Sequence, residues 1–155
     1  MNRWAKSVLL VGALLACVSR AALAADPPKT QVQNAGPYVI TLNQSSIDLK
    51  SSSAVTLTVR KGGKLATDLK PYGGSCGLAD LTSTQTGTTY YTTVNPAGTS
   101  VSTQTSTNAS QPANVGAELE ISPPAAVPAG IYTLNIQLRG AGDQIYVASF
   151  TLVIR

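Results

Sequence analysis

Apolar and polar side chains alternate more cleanly in residues 130–155, GIYTLNIQLRGAGDQIYVASFTLVIR, than anywhere else in the chain. Tyr132, Leu134, Ile136 and Leu138 share one side while Thr133, Asn135, Gln137 and Arg139 share the other, the period of two that a half-buried strand requires. Gly140, Ala141, Gly142 and Asp143 supply a turn, and Tyr146, Ala148, Phe150, Leu152 and Ile154 form a second apolar row on the way back. The pattern predicts a β-hairpin. A two-stranded hairpin cannot bury two such rows alone, so the segment around Leu57 is expected to cover Leu134 and its neighbours.

The same alternation recurs upstream in shorter pieces. Tyr38, Ile40 and Leu42 begin a first strand, residues 43–46 break it, and Ile47 and Leu49 resume it, which predicts a kink or a switch between sheets. AVTLTVR, residues 54–60, places Val55, Leu57 and Val59 inward and Thr56, Thr58 and Arg60 outward. Gly62-Gly63 suits a two-residue hairpin turn needing positive φ at both positions, so Leu65, Thr67 and Leu69 are expected to run back beside that strand. Residues 71–77, PYGGSCG, read as a loop or irregular strand carrying Cys76. TTYYTTV, residues 88–94, has strong β propensity. VSTQTST, residues 101–107, either pairs with it across a turn at residues 95–98 or belongs to a low-complexity loop. AELEI, residues 117–121, points Leu119 and Ile121 inward, and Pro123, Pro124 and Pro128 then force an extended crossover into the last hairpin.

Residues 1–24 resemble a secretory signal peptide: Arg3 and Lys6 precede an apolar run over residues 8–18, and Ala22-Leu23-Ala24 forms a small-residue cleavage site. The expected organisation is this leader, a polar, proline-bearing flexible lead-in over residues 25–37, and one domain over residues 38–155. Leu14-Leu15-Ala16-Cys17 also looks like a bacterial lipobox; on that reading Cys17 is lipidated and the protein is membrane-anchored rather than free. Cleavage after Ala24 is favoured by its spacing from the apolar run.

Charge changes meaning once the leader is set aside. The whole chain is formally +4, but Arg3, Lys6 and Arg20 lie in the leader, leaving eight basic residues against seven acidic ones. That removes the composition-level argument for nucleic acid or an anionic membrane. Arg60, Lys61, Lys64 and Lys70, interrupted by Gly62, Gly63 and Asp68, suit a solvated hairpin end. Cys76 is then the sole cysteine, so no intrachain disulfide forms. A buried small hydrophobe, a thiol pairing with another chain and a nucleophile are its readings, in that order of preference.

ITLNQSSIDLKSSSAVTLTVRKGG and VPAGIYTLNIQL together resemble bacterial immunoglobulin-like domains of exported and surface proteins. The resemblance implies an antiparallel β-sandwich of about seven strands, and a hydrogen bond from Tyr132 back to the corner that precedes it. The disulfide of antibody-type domains has no counterpart: Leu134 stands where one cysteine would be, and Val55, Leu57 and Val59 stand where its partner would be.

The chain contains no histidine, which removes the commonest general base, the Ser-His and Cys-His nucleophiles, and most zinc or copper sites. Glu118 and Glu120 are the only closely spaced carboxylates; they share a strand face and read as solvated rather than as a glycosidase pair. No cofactor is expected. The sequence thus points to a non-enzymatic exported module, periplasmic or at the cell surface, binding a protein or glycan partner. Tyr90 and Tyr91 are the candidate contact residues, with the alternative that one ring faces the core while the other covers the sheet. A structural or assembly subunit is the second class, supported by the absence of any charged residue over residues 81–117, since uncharged edges are poorly guarded against pairing with another chain.

Overall fold

In the strand Val55–Lys61, Val55, Leu57 and Val59 are buried while Thr56 and Thr58 are half-buried on the opposite side, as alternation requires. The computed structural model describes residues 27–50, 54–97 and 115–155, and its regular structure is β-strand apart from one 3-10 turn at Ala141–Asp143. The strands are β1 (Gln31–Ala35), β2 (Tyr38–Leu42), β3 (Ser46–Ile47), β4 (Val55–Lys61), β5 (Lys64–Leu65), β6 (Gly77–Ser83), β7 (Thr89–Pro96), β8 (Glu118–Ile121), β9 (Gly130–Arg139) and β10 (Ile145–Ile154).

They form one path, β1-β2-β4-β8-β7-β6-β9-β10-β3, with β5 beside β4. Neighbours are antiparallel except for β3, which lies parallel to β10. The all-β antiparallel class is as expected; the organisation is a curled open sheet of ten strands rather than about seven. Val94 marks a handover point, since it faces Gly77 on β6 and Ile121 on β8 at once.

The curl turns every inward-pointing row onto one core. Leu57 and Leu134, the two expected pins, are both buried in it, together with Tyr38, Ile40, Leu42, Leu81, Leu119, Ile121, Ile136, Phe150 and Leu152. Among the described residues no disulfide supports it, and Cys76 is a free, buried thiol. The predicted hairpin forms as β9–β10, with Leu134 facing Phe150 and Ile136 facing Ala148.

The predicted break in the first strand is a genuine change of partner: β2 pairs with β4, whereas β3, beyond residues 43–45, pairs with β10. The two-residue turn at Gly62-Gly63 forms with φ of 59° and 76°. Its return strand is shorter than expected, because after Lys64–Leu65 the chain leaves β4 and buries Leu69 instead.

The largest correction concerns residues 25–37. The segment expected to be a flexible lead-in contains β1, which pairs along its length with β2 across a turn at Gly36-Pro37. Of its five residues only Ala35 is buried, Gln31 is half-buried and Val32, Gln33 and Asn34 are exposed, so burial alternation gave no signal. Hydrogen bonding orders it instead. The Gln31 side-chain amide donates to the Thr151 carbonyl at 2.6 Å and accepts from the Thr151 N–H at 3.0 Å. A primary amide thereby stands in for the peptide group of a neighbouring strand, and it joins β1 to β10 across the mouth of the curl. Gln31 also donates to Ser45 Oγ at 2.8 Å, and the Ser45 hydroxyl donates to the Pro28 carbonyl.

The leader, Cys17 and residues 101–107 lie outside the described residues. The turn expected at residues 95–98 does not begin at Asn95, because Asn95 and Pro96 continue β7 and pair with Glu120 and Leu119.

Candidate binding face

Tyr90 and Tyr91 are adjacent on β7 and therefore point to opposite sides of the sheet. Tyr90 packs against the core, with its ring edge-on to Tyr132 at 6.2 Å. Tyr91 stands on the outer face and is 78% exposed. The two rings do not form one platform, and Tyr91 alone is available to a partner.

What surrounds Tyr91 follows from register. Tyr91 faces Asp80 on β6, Asp80 faces Asn135 on β9, and Asn135 faces Ser149 on β10. Three of these polar groups are joined: Asn135 Nδ2 donates to Asp80 Oδ1 at 2.9 Å, and Ser149 Oγ donates to Asn135 Oδ1 at 2.7 Å. On one side of this rank lies another made of Thr89, Thr82, Thr133 and Thr151, in which the Thr82 and Thr89 hydroxyls share a 2.9 Å hydrogen bond. On the other side lie Thr93, Leu78, Gln137 and Val147. At about 4.8 Å between strands the face is roughly 14 Å wide. It is hydroxyl-rich, carries an aromatic ring at the β7 edge, and has one carboxylate among its three ranks.

Fixing Asn135 between Asp80 and Ser149 sets the orientation of its amide, so the rank presents pre-positioned polar groups rather than mobile ones. β6 had to be recognised for the rank to be found, and GLADLTS hides it: two of its three buried positions are Gly77 and Ala79, which carry little hydrophobic signal. Gly77 is small for a reason. A Cβ there would lie 2.5 Å from the Gln137 carbonyl and 2.8 Å from the Leu138 side chain. Thr133, Asn135 and Gln137 were legible as outward residues of β9, but their cross-strand neighbours were not.

The remaining candidates fall elsewhere. Tyr132 makes the bond implied by the resemblance, its hydroxyl donating to the Pro128 carbonyl at 2.6 Å. Burial pushes the Cys76 thiol above its usual range, away from the thiolate that nucleophilic chemistry needs. Glu118 and Glu120 sit on the outer face of β8, opposite Thr58 and Thr56. Among the basic residues, Lys61 pairs with Asp68, and Lys70 and Arg139 both pair with Asp143. Their hydrogen bonds hold the carboxyls low: Lys61 acts on Asp68, and Lys70, assisted by Arg139, on Asp143. Among the described residues no three potential metal ligands gather, and no helix is long and apolar enough to cross a membrane. No protein-family model, no curated protein and no solved structure matches the chain.

Proposed function

We propose that the chain is an exported, non-enzymatic module of the immunoglobulin-like sandwich type that docks a neutral glycan on the outer face of β7, β6, β9 and β10. The observation that carries this reading is Tyr91, 78% exposed in one rank with the hydrogen-bonded Asp80, Asn135 and Ser149. An exposed aromatic ring offers flat apolar area to the C–H face of a sugar, while fixed amide, carboxylate and hydroxyl groups beside it meet sugar hydroxyls. Asp80 disfavours an anionic ligand, since a second carboxylate or a phosphate would be brought against it without a cation on the same ranks.

The Tyr132–Pro128 bond supports the immunoglobulin-like assignment. Export and a place at the cell envelope rest on the leader-like residues 1–24, with anchoring through Cys17 as the alternative fate of that segment. The non-catalytic reading rests on a sequence without histidine.

The test is depletion of the purified protein from solution by insoluble cellulose, xylan and chitin. Retention by at least one of them is expected, with at least tenfold weaker retention of Tyr91→Ala and unchanged retention of Glu120→Gln. Failure of all three polysaccharides to retain the protein overturns the glycan reading in favour of a protein partner. Equal retention of Tyr91→Ala overturns the face.

A further inference from the structure

Charge is nearly balanced over residues 25–155, yet the fold does not spread it evenly. One end of the curl holds the turns β1–β2, β4–β5 and β9–β10, and it gathers basic residues from distant parts of the sequence. Lys61 lies opposite Tyr38 on β2 and Lys64 on β5, and the Arg60 guanidinium donates to the Gly63 carbonyl at 3.4 Å. Lys70 bridges to Arg139, its amide donating to the Arg139 carbonyl at 2.8 Å. The Tyr38 hydroxyl ties the two groups together: it donates to Asp68, the partner of Lys61, at 2.9 Å and accepts from the Ala141 N–H, just beyond Arg139, at 3.1 Å. Five basic residues thereby meet two acids, Asp68 and Asp143, an excess of three positive charges. Glu118 on β8 is opposite Thr58, a rank behind Arg60. Arg60 and Lys64 have no ion-pair partner among the described residues. Elsewhere in residues 25–155 the balance reverses, with three basic residues against five acidic ones. Apolar side chains stand at the same end: Leu65, opposite Arg60, is 45% exposed, and Ile145, opposite Arg139, is 41% exposed.

We propose that this end of the curl docks on a bilayer surface rich in anionic phospholipid. Basic side chains are drawn to such a surface one by one, and Leu65 enters between head groups while the charged ends of Arg60, Lys61 and Lys64 stay at the phosphates. A bilayer is the fitting occupant because it takes both features at once. A soluble polyanion would meet the charges but leave Leu65 and Ile145 in water. The hairpin tip is free to approach, since a Cβ at Gly62 or Gly63 would meet nothing within 4 Å. The opposite sign of the remaining charge orients the molecule end-on, with its acidic residues away from the lipid. Tyr91 and its rank lie on the side of the curl, so docking leaves that face open.

Co-sedimentation of residues 25–155, which contain the whole described fold and exclude both the leader and Cys17, with lipid vesicles tests this. Vesicles of equal parts phosphatidylcholine and phosphatidylglycerol are expected to bind the protein about tenfold more strongly than vesicles of phosphatidylcholine alone, and salt is expected to weaken the binding. Lys64→Glu and Arg60→Glu, each at an exposed position, are expected to abolish that preference. Lys50→Glu makes the same charge change at the opposite end, near the Leu49–Arg155 contact, and is expected to keep it. Leu65→Ser is expected to weaken binding several-fold, and circular dichroism verifies that each variant is folded. Equal binding to both vesicles overturns the proposal, as does equal loss in Lys50→Glu and Lys64→Glu. Unchanged binding of Leu65→Ser overturns the bilayer as occupant in favour of a soluble polyanion. Glycan retention is read separately, so failure of one proposal leaves the other standing.

Discussion

On the outer face of β8 and β4, Glu118 and Glu120 stand opposite Thr58 and Thr56, with Arg60 further along β4. On the outer face of β7, β6, β9 and β10, the corresponding positions hold Tyr91, hydroxyls, amides and a single carboxylate already bonded to Asn135. Both faces come from the same inward-outward alternation and lie over the same core, so folding does not account for the difference. A strand face carrying two carboxylates remains hydrated at little cost, whereas a face with one exposed ring and pre-oriented polar groups has chemistry to offer a partner.

The comparison breaks most completely if the shared core is damaged. Leu134→Ala removes a fully buried side chain and is expected to cost about 2–5 kcal/mol in chemical denaturation, with both faces lost together. Gly77→Ala should be selective. Its Cβ pushes β6 from β9 at the Gln137 carbonyl. The expected cost is about 1–3 kcal/mol, accompanied by shifts in the amide resonances of Val94, Gln137 and Leu138, which surround the new methyl, and none in that of Glu118 at the far end of β8. Tyr132→Phe leaves the Pro128 carbonyl without its 2.6 Å donor, for an expected loss of about 0.5–1.5 kcal/mol.

Acid should act on the ion pair of Lys61 and Asp68. Asp68 has its folded-state pKa lowered by the Lys61 hydrogen bond, so its contribution is present above the unfolded carboxylate range and is lost as pH falls through the folded value. Stability measured against pH should therefore decline on the acid side, and Asp68→Asn should flatten that decline. Smallest of all, Tyr91→Ala and Glu120→Gln are each expected to change stability by less than about 0.5 kcal/mol, which isolates their effects on binding from effects on folding.

How far the chain could be read in advance depended on what each position buries. β4, β8, β9 and β10 were legible because their inward residues are Val, Leu, Ile and Phe, which mark a period of two. β1 was not, since Ala35 is its one buried residue and its order comes from a side-chain amide bonded to Thr151, 120 residues away. β6 was hidden for a different reason: Gly77, kept small by the close approach of β9, and Ala79 carry little apolar signal. The binding face inherited that gap. Tyr91 was identifiable as a residue, but Asp80 and Ser149 became its neighbours only through registers that no local pattern encodes.

The central claim, that the tyrosine face and not the glutamate face receives the ligand, is tested most directly by amide chemical-shift mapping with soluble cellohexaose, xylohexaose and chitohexaose. With the oligosaccharide that binds, the account predicts progressive shifts at Asp80, Tyr91, Asn135 and Ser149 with Thr56, Glu118 and Glu120 unmoved. Shifts confined to Glu118, Glu120 and their neighbours on β4, or none with any of the three sugars, would contradict it.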